Sequence, residues 1–197
     1  MMKKIEIRTP ILEKDVRRLK VGDAIYVTGT LLTSRDAAHK RITQYLKEGK
    51  ELPFNFNGLP LYHCGPLVKE TGSGWKVLAA GPTTSMRMEE DEVDIIMKLG
   101  VRLIIGKGGM GEKTRDAMIK FGAVYGTFTG GAAVLASKYI KRVNDVQWLD
   151  LGMPEAIWSF EVKMFGPIII CMDSYGSNLY TKVLADAESS KQKMWMA

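Results

Sequence analysis

The sequence predicts an α/β protein of one domain, spanning residues 1–197, in which a mixed sheet or sheets pack against helices. Strands and helices alternate in the middle of the chain, as they do in parallel β–α units. Elsewhere strands follow one another without a helix between them, which favours a mixed sheet over a purely parallel one. A hydrophobic content of 46% is enough for a buried core and argues against disorder.

In its first half the chain is predicted to form four strands and two helices. Apolar β-branched runs mark the strands, and apolar residues at the helical period mark the helices. Thr33 and Ser34 are the expected N-cap of the first helix, and Gly49 is its expected end. Glycine, proline and asparagine dominate residues 50–73, which predicts loops around one short strand. The strands are expected at 5–8, 23–32, 61–64 and 75–80, and the helices at 35–46 and from 86 to 99.

The second half continues this alternation and then adds three strand-like stretches. Gly122 is the expected end of one helix, and residues 130–131 lead into the next. The last helix is expected to fray from about residue 185. The strands are expected at 101–105, 124–129, 146–151, 157–164 and 167–172, and the helices at 112–121, 132–140 and from 179.

The net charge of +6 raises the question of nucleic-acid binding. Basic residues are mixed with acidic ones, as in residues 13–18, and no block of lysine and arginine is interleaved with aromatic residues. The pattern therefore predicts no nucleic-acid partner. A surplus of cationic side chains also suits a small dianionic substrate.

Signals for membrane insertion, secretion and metal binding are absent from the sequence. No apolar run reaches the roughly 18 residues that span a bilayer, and the N-terminus lacks the apolar stretch of a secretory signal. We therefore expect a cytoplasmic protein without a membrane partner. Cys64 and Cys171 are isolated, and His63 beside Cys64 completes no ligand set, so we expect reduced, partly buried thiols and no metal held by this chain.

Three segments share one design, in which a strand ends, a turn of small residues follows and a cation lies near the start of a helix. They are residues 33–36, 81–87 and 106–111. Helix N-termini present free N–H groups and favour anions. If the loops converge, Arg35, Arg87 and Lys107 would add three positive charges, and arginine forks bind carboxylates in bidentate fashion. We expect such a pocket to bind a small molecule with two carboxylates. The alternative is that the arginines are solvated or form surface ion pairs and bind no ligand.

The third loop also nearly matches the phosphate-binding pattern G-x-x-x-x-G-K-[ST]. Glu112 stands between Gly111 and Lys113, and its carboxylate would face the phosphates that the loop should bind. No clear apolar strand ending in a magnesium-binding aspartate follows. Nucleotide binding therefore stays open only as an alternative.

Four further residues could support the expected pocket. His39 lies four positions after Arg35 on the same helical face, where a contact with the pocket and a structural role are both open. Asp36 could pair with Arg35 or cap its helix. Gly108 and Gly109 would let the backbone approach a ligand closely.

Several long motifs, in order, make the sequence resemble the β subunits of class I fumarases and of L-tartrate dehydratases. The resemblance covers about residues 5–180 and is far more specific than a single glycine pattern. The motifs are residues 33–41 (TSRDAAHKR), 65–66 (GP), 80–88 (AGPTTSMRM), 106–111 (GKGGMG), 130–133 (GGAA) and 151–156 (LGMPEA).

The resemblance implies half of an active site. In that family a larger α subunit carries a [4Fe-4S] cluster on three cysteines, and its open iron binds the substrate. The β part, a swivelling β/β/α domain, closes over the cluster. By resemblance, Arg35 and Arg87 would bind the substrate carboxylates, Lys107 would add a further cation, and Thr83 would be a candidate general base.

A threonine hydroxyl is a very weak base, so strong local positive charge would be needed to favour its alkoxide. Arg87, one helical turn from Thr83, could supply that charge, and the same cations would stabilise the aci-carboxylate formed when a proton leaves the neighbouring carbon. The iron would act as a Lewis acid on the departing hydroxyl. The alternative role of Thr83 is that of a helix N-cap.

The sequence thus predicts the β subunit of an iron–sulfur hydro-lyase that hydrates fumarate reversibly to L-malate, within a hetero-oligomer. Dehydration of L-tartrate is the alternative within the family. A stand-alone anion- or nucleotide-binding module and a structural or regulatory domain are the alternatives from other classes.

Overall fold

The computed structural model describes residues 4–72 and 74–195, which form nine strands and six α-helices. The strands are β1 (Ile5–Arg8), β2 (Ala24–Thr33), β3 (Leu61–Tyr62), β4 (Leu67–Thr71), β5 (Gly74–Ala79), β6 (Leu103–Gly106), β7 (Val124–Thr127), β8 (Ile140–Gln147) and β9 (Ile157–Met172). The helices are α1 (Glu13–Val16), α2 (Asp36–Glu48), α3 (Glu89–Leu99), α4 (Glu112–Phe121), α5 (Ala133–Tyr139) and α6 (Leu179–Trp195). A 3-10 turn, Ser85–Met88, leads directly into α3, and a second one, Leu149–Leu151, follows β8.

Seven strands form one mixed sheet in the order β1-β2-β3-β6-β7-β9-β8. The first five of these are parallel neighbours, whereas β9 runs antiparallel to β7, β8 and β2. Because β9 pairs with both β7 and β2, five strands close into a ring. β4 and β5 form a separate antiparallel hairpin. The α/β class with mixed sheets is confirmed.

Two hydrophobic clusters cover the two faces of the sheet. Alternate residues of a strand point to opposite faces, so Leu31 and Ile105 belong to one cluster, and Leu32 and Ile104 belong to the other. The second cluster also takes the apolar stripes of α2, α3 and α4. These helices therefore lie on one face of the sheet, and their N-terminal ends are near the edge where β2, β3 and β6 end.

The hairpin and β8 differ from the sequence-based expectation. Residues 67–71 were predicted to be loop but form β4, since the hairpin carries polar, exposed side chains and lacks the apolar run of a core strand. Residue 73, which stands between β4 and β5 in the sequence, lies outside the described residues. β8 was expected at 146–151 but begins at Ile140, because its charged residues hide the period of a half-buried strand.

β9 is one strand of 16 residues, whereas two strands at 157–164 and 167–172, with a break at residues 165–166, were predicted. The pairing with β2 shifts register between Ile25 and Val27, opposite Gly166 and Pro167. An irregularity of this kind lets a strand bend without ending, so the long strand can pair with β8, β2 and β7 in turn.

The helix predicted from residue 179 is confirmed as α6, which reaches Trp195. Residues 196–197 lie outside the described range, so fraying of the tail stays a prediction. Among the described residues, no helix combines the length and the apolar character that crossing a bilayer requires.

Candidate functional site

The first and third predicted loops leave the same edge of the sheet. β2 ends at Thr33 and β6 ends at Gly106, with β3 between them. Thr33 pairs with Tyr62, which in turn pairs with Ile105. Since neighbouring strands lie about 4.8 Å apart, the two loops begin roughly 10 Å from each other.

The second loop is attached to this edge by backbone hydrogen bonds, although β5 is not part of the large sheet. The Thr83 amide donates to the His63 carbonyl at 2.7 Å, and the Lys107 amide donates to the Thr83 carbonyl at 3.2 Å. The Ser85 amide donates to the Lys107 carbonyl at 3.0 Å. All three cation-bearing loops therefore lie together.

Asp36 links the two arginines of the site. Arg87 donates from Nε to Asp36 Oδ1 at 2.9 Å and from Nη2 to Asp36 Oδ2 at 2.7 Å, which is a bidentate fork. Arg35 Nε lies 3.5 Å from the same Oδ2. The hydrogen bond from Arg87 lowers the pKa of the Asp36 carboxyl, and the same bond raises the pKa of Arg87. Both guanidinium groups are thus ordered around one carboxylate.

Glu155 is a second carboxylate that orders the site, and the sequence analysis gave it no role. Its Oε1 lies 2.7 Å from Arg35 Nε, and its Oε2 accepts a hydrogen bond from the Ala37 amide at 2.8 Å. Gly65 leaves room for this arrangement, because a Cβ there would lie 2.6 Å from Arg35 Nη1. The only sequence signal for Glu155 was its place in the 151–156 motif.

The predicted N-cap of α2 is wrong. Arg35, with an extended backbone (φ −148°), occupies the capping position. The Ser34 hydroxyl bonds instead to the His39 ring, and the Thr33 hydroxyl accepts a hydrogen bond from the Trp158 amide at 3.1 Å. Both hydroxyls are therefore used in tertiary contacts, which local sequence patterns do not reveal.

Thr83 lies directly against the Arg87 guanidinium. Arg87 Nη2 donates to Thr83 Oγ1 at 2.7 Å, beside its bond to Asp36. The alternative helix-capping role does not fit, since Thr84 is the residue that precedes the 3-10 turn. A threonine oxygen that accepts a hydrogen bond from a cation loses its proton more easily than a free hydroxyl does.

The glycine loop presents Lys107 at the exposed side of the same edge. Gly108 and Gly109 have φ values of 81° and 78°, in the left-handed region that favours glycine. A Cβ on Gly109 would lie 2.7 Å from the Tyr180 ring of α6. The lysine stem passes Gly130, where a Cβ would be 3.8 Å from Lys107 Cδ. The glycines thus set the path of the loop beneath an exposed ammonium group.

The helix start that follows this loop is not free to bind a ligand. The Glu89 carboxylate accepts hydrogen bonds from the Gly111 amide at 2.7 Å, the Thr114 amide at 3.0 Å and the Thr114 hydroxyl at 2.7 Å. These bonds satisfy N–H groups that a helix N-terminus otherwise leaves open. The anion-binding role predicted for this helix start is therefore wrong in this conformation. The place where a phosphate would sit in a P-loop is taken by a carboxylate.

His39 does not reach the exposed arginines. It is completely buried beneath them with His63 and Glu92, whose carboxylate contacts both rings. Sequence reasoning missed this group because its members come from α2, from the loop after β3 and from α3. The available signal was weak: Glu92 falls on the apolar stripe of α3 that also carries Ile95 and Ile96.

The two cysteines do not fit an iron–sulfur cluster. Cys64 and Cys171 are buried, free thiols in different hydrophobic clusters. Burial raises the pKa of both thiols, so the thiolate that iron requires is disfavoured. A cluster needs several thiolates at one point, and this chain supplies no such set among its two cysteines.

The part of the chain that matches known proteins includes all the site residues described above. A family model described as "Fumarase C-terminus" matches residues 1–183. A protein of Escherichia coli (strain K12) named "L(+)-tartrate dehydratase subunit beta" is 46% identical over 178 residues, with 90% of this chain and 87% of that protein covered. A protein of Methanocaldococcus jannaschii named "Putative L(+)-tartrate dehydratase subunit beta" is 43% identical over 174 residues, with 88% and 89% covered.

A longer relative is matched along only part of its own length. The Geobacillus stearothermophilus protein named "Putative fumarate hydratase class I" is 41% identical over 191 residues, which are 96% of this chain and 35% of that protein. The chain is thus similar both to separate subunits and to one part of a longer polypeptide.

Proposed function

We propose that this chain, which belongs to the fumarase C-terminus family, is the β subunit of an iron–sulfur hydro-lyase that hydrates fumarate reversibly to L-malate. The two relatives described above that match over most of their own length are named as β subunits of tartrate dehydratases. The single observation that carries the proposal is the convergence of Arg35, Arg87, Lys107 and Thr83 at one edge of the sheet.

The cations suit a four-carbon dicarboxylate and the charge that develops on it. Arg35 and Arg87 would bind the substrate carboxylates, with Asp36 holding both guanidinium groups in place. Lys107 would add a third positive charge. Removing a proton from the carbon next to a carboxylate places negative charge on that carboxylate, and preorganised cations stabilise it.

Thr83 is the candidate base, and the contact with Arg87 supports this role because a neighbouring cation favours the alkoxide. A general base contributes about 10²- to 10⁴-fold to a rate. Thr83→Val, which keeps the shape but removes the hydroxyl, should lower kcat of the assembled enzyme by at least about 100-fold. Thr84→Val is the matched control and should stay within about twofold; an equally small effect of Thr83→Val would exclude the role.

A partner must supply the cluster, since the cysteines of this chain do not fit one. We propose an α subunit that carries a [4Fe-4S] cluster, which would supply a Lewis acid for the departing hydroxyl. The longer fumarate hydratase relative, of which this chain covers 35%, supports a larger second part. Two free thiols also agree with a reducing cytoplasm.

L-Tartrate is the second candidate substrate, and a specific observation favours it. The relatives that match over nearly their whole length carry the name tartrate dehydratase. Malate and tartrate differ by one hydroxyl, and the same cations would bind the carboxylates of either.

The test is an anaerobic assay of the reconstituted pair. This chain is co-expressed with its α partner, the cluster is loaded, and malate and tartrate are supplied in parallel while fumarate and oxaloacetate are measured. Fumarate formation supports the proposal, and activity on tartrate alone replaces fumarate by the second candidate. If the loaded complex is inactive on both substrates and this chain alone binds ATP tightly, the binding-module alternative is favoured.

A further inference from the structure

Beneath the cation-bearing loops lies a continuous chain of buried polar side chains. It crosses the interior from the end of β2 to β7, and each of its members is fully shielded from solvent. We call it the buried relay; in spatial order its members are Ser34, His39, Glu92, His63, Ser85 and Tyr125.

The first half of the buried relay joins the loop after β2 to α3. The Ser34 hydroxyl lies 2.8 Å from His39 Nδ1, and His39 Nε2 lies 3.2 Å from Glu92 Oε2. Ser34 immediately precedes Arg35 in the chain. The first cation-bearing loop is thereby tied to a buried carboxylate.

The second half joins the same carboxylate to the other two loops. His63 Nε2 lies 3.0 Å from Glu92 Oε2, and His63 Nδ1 lies 2.9 Å from the Ser85 hydroxyl. Ser85 lies between Thr83 and Arg87 in sequence. Its hydroxyl continues to the Tyr125 hydroxyl at 3.1 Å.

The third loop packs against this second half. A Cβ on Gly106 would overlap the Ser85 hydroxyl, and it would lie 3.2 Å from the Tyr125 hydroxyl. Gly106 is the residue before Lys107. Each of the three cations, Arg35, Arg87 and Lys107, is therefore within two residues of a member of the relay or of a glycine packed on it.

The positions of the protons follow from the contacts. One carboxylate oxygen, Glu92 Oε2, faces both imidazole Nε2 atoms, so each ring must donate Nε2–H to it. The two Nδ1 atoms each lie within hydrogen-bond distance of a serine hydroxyl, that of Ser34 for His39 and that of Ser85 for His63. Burial lowers the pKa of His63, which keeps that ring neutral.

The carboxylate itself is ionised and has one atom without a partner. Burial alone would raise the pKa of Glu92, but its electrostatic interaction with His63 and the hydrogen bonds that both rings donate outweigh burial and lower that pKa. Within the described residues, Glu92 Oε1 accepts no hydrogen bond. A buried ion pair or charge is weak evidence for stability, and positioning is one function for which such groups are retained.

We propose that Glu92, bridging the rings of His39 and His63, is a positioning centre that fixes Arg35, Arg87 and Lys107 relative to one another. Its rigid hydrogen-bonded connections would hold the loops in the geometry that binds both substrate carboxylates. The consequence for catalysis rests on the proposed function, whereas the positioning itself does not.

A metal site is the competing interpretation of the same side chains. His39, His63 and Glu92 place three potential ligand atoms within 4.8 Å of one another. Hydrogen-bond lengths of 3.0 and 3.2 Å and the two serine hydroxyls account for all four ring nitrogens without a metal. A metal would also need a fourth ligand, and its usual tetrahedral shell is not completed by these three.

The two rings can be observed directly, because His39 and His63 are the only histidines of the chain. Imidazole ¹⁵N spectra of the full chain at pH 7 should show both rings protonated at Nε2, with the His63 ring neutral. A ring without a proton on Nε2, or a cationic His63 ring, would overturn the proposal. One tightly bound metal ion per chain, measured by elemental analysis, would overturn it as well.

Positioning is tested by Glu92→Gln against Glu90→Gln, an exposed glutamate two positions away that pairs with Lys113. The arginine ¹⁵Nε signals of Arg35 and Arg87 should shift in Glu92→Gln and stay unchanged in Glu90→Gln. Unchanged signals in both variants would overturn the proposal, whatever reaction the enzyme catalyses. Tyr125→Phe, which removes only the terminal hydroxyl, gives the same test with a smaller expected shift if Glu92→Gln does not fold.

The effect on catalysis is measured as kcat/KM of the complex with the α subunit. Glu92→Gln should lower kcat/KM by about tenfold or more, and Glu90→Gln should leave it within about twofold. If the arginine signals shift in Glu92→Gln but its kinetics are unchanged, the consequence for catalysis is contradicted and the positioning role stands. An inactive wild-type complex with shifted signals would count against the proposed function and leave the positioning supported.

Discussion

At the scale of single residues, the two arginines of the site are already paired with carboxylates. Arg87 is bound to Asp36, and Arg35 is bound to Glu155. Side chains ordered in this way lose less conformational entropy when a ligand binds, which is what preorganisation means. The cations were predictable from their loops, but their partners were not, because Glu155 is 120 positions from Arg35 in the sequence.

Arg87 contacts both Asp36 and the candidate base Thr83, so its replacement should have a clear effect on turnover. Arg87→Met should lower kcat/KM of the assembled complex by at least about tenfold, or about 1.4 kcal/mol, because a charge that stabilises the transition state is lost. The matched control is Arg18→Met, since Arg18 has a side chain that is 70% exposed and, among the residues that the structure describes, forms an ion pair only with nearby Asp15. Equal kinetics for the two variants would instead support a structural or regulatory domain.

At the scale of elements, the site depends on the order of parallel strands and on the loops between them. Strand and helix types were predictable where apolar runs or amphipathic stripes are long, as in β2 and α4. The exposed hairpin of β4 and the polar β8 were not, since their polar side chains hide the pattern of a core strand. The N-cap of α2 was not, since the hydroxyls of Thr33 and Ser34 are used in tertiary contacts. The loops converge because β2, β3 and β6 pair with one another, and this pairing could not be inferred from a single sequence.

Gly106 is the last residue of β6, where the third loop begins, and the packing at this point leaves no room for a side chain. Gly106→Ala should lower the free energy of unfolding by about 1–3 kcal/mol, because a Cβ would overlap the Ser85 hydroxyl. Gly72→Ala, where a Cβ meets nothing within 4 Å, should change it by less than about 0.5 kcal/mol. Urea unfolding of both variants measures the difference, and equal midpoints would show that the loop can relax around the methyl group.

At the scale of the whole molecule, five strands close into a ring that carries three helices on one face and the site at one edge. The α/β class could be predicted from the alternation of strands and helices. The closure by β9 could not, because its sequence was predicted to form two shorter strands, 157–164 and 167–172. The buried relay also belongs to this scale, since it joins side chains from four elements and from the loops between them.

The buried relay makes the stability of the whole chain depend on pH. In the folded state the pKa of His63 is lowered from 6.5 and that of Glu92 from 4.5, so the unfolded chain binds more protons at acid pH. Stability should therefore be complete above pH 6.5 and fall on acidification, first as His63 can protonate on unfolding and then below pH 4.5 through Glu92. Asp36 and His39 are the other titratable groups that act on His63.

Thermal unfolding between pH 8 and pH 3 measures this dependence. The Tm of the chain should be nearly constant from pH 8 to 7 and should decline below 6.5. Glu92→Gln should lose less Tm between pH 4.5 and 3 than Glu90→Gln does, because it no longer carries the buried carboxylate. Parallel curves for the two variants in that range would contradict the account of Glu92.

The most direct test of the central claim, that this chain supplies the cationic half of a shared active site, is a titration of the α subunit. A fixed amount of cluster-loaded α subunit is mixed with increasing amounts of this chain, and hydro-lyase activity is measured under anaerobic conditions. We predict no activity from either chain alone, a rise to saturation at a fixed ratio of the two, and less than about a tenth of that activity with the Arg87→Met chain at saturation. Full activity of the α subunit alone would contradict the claim.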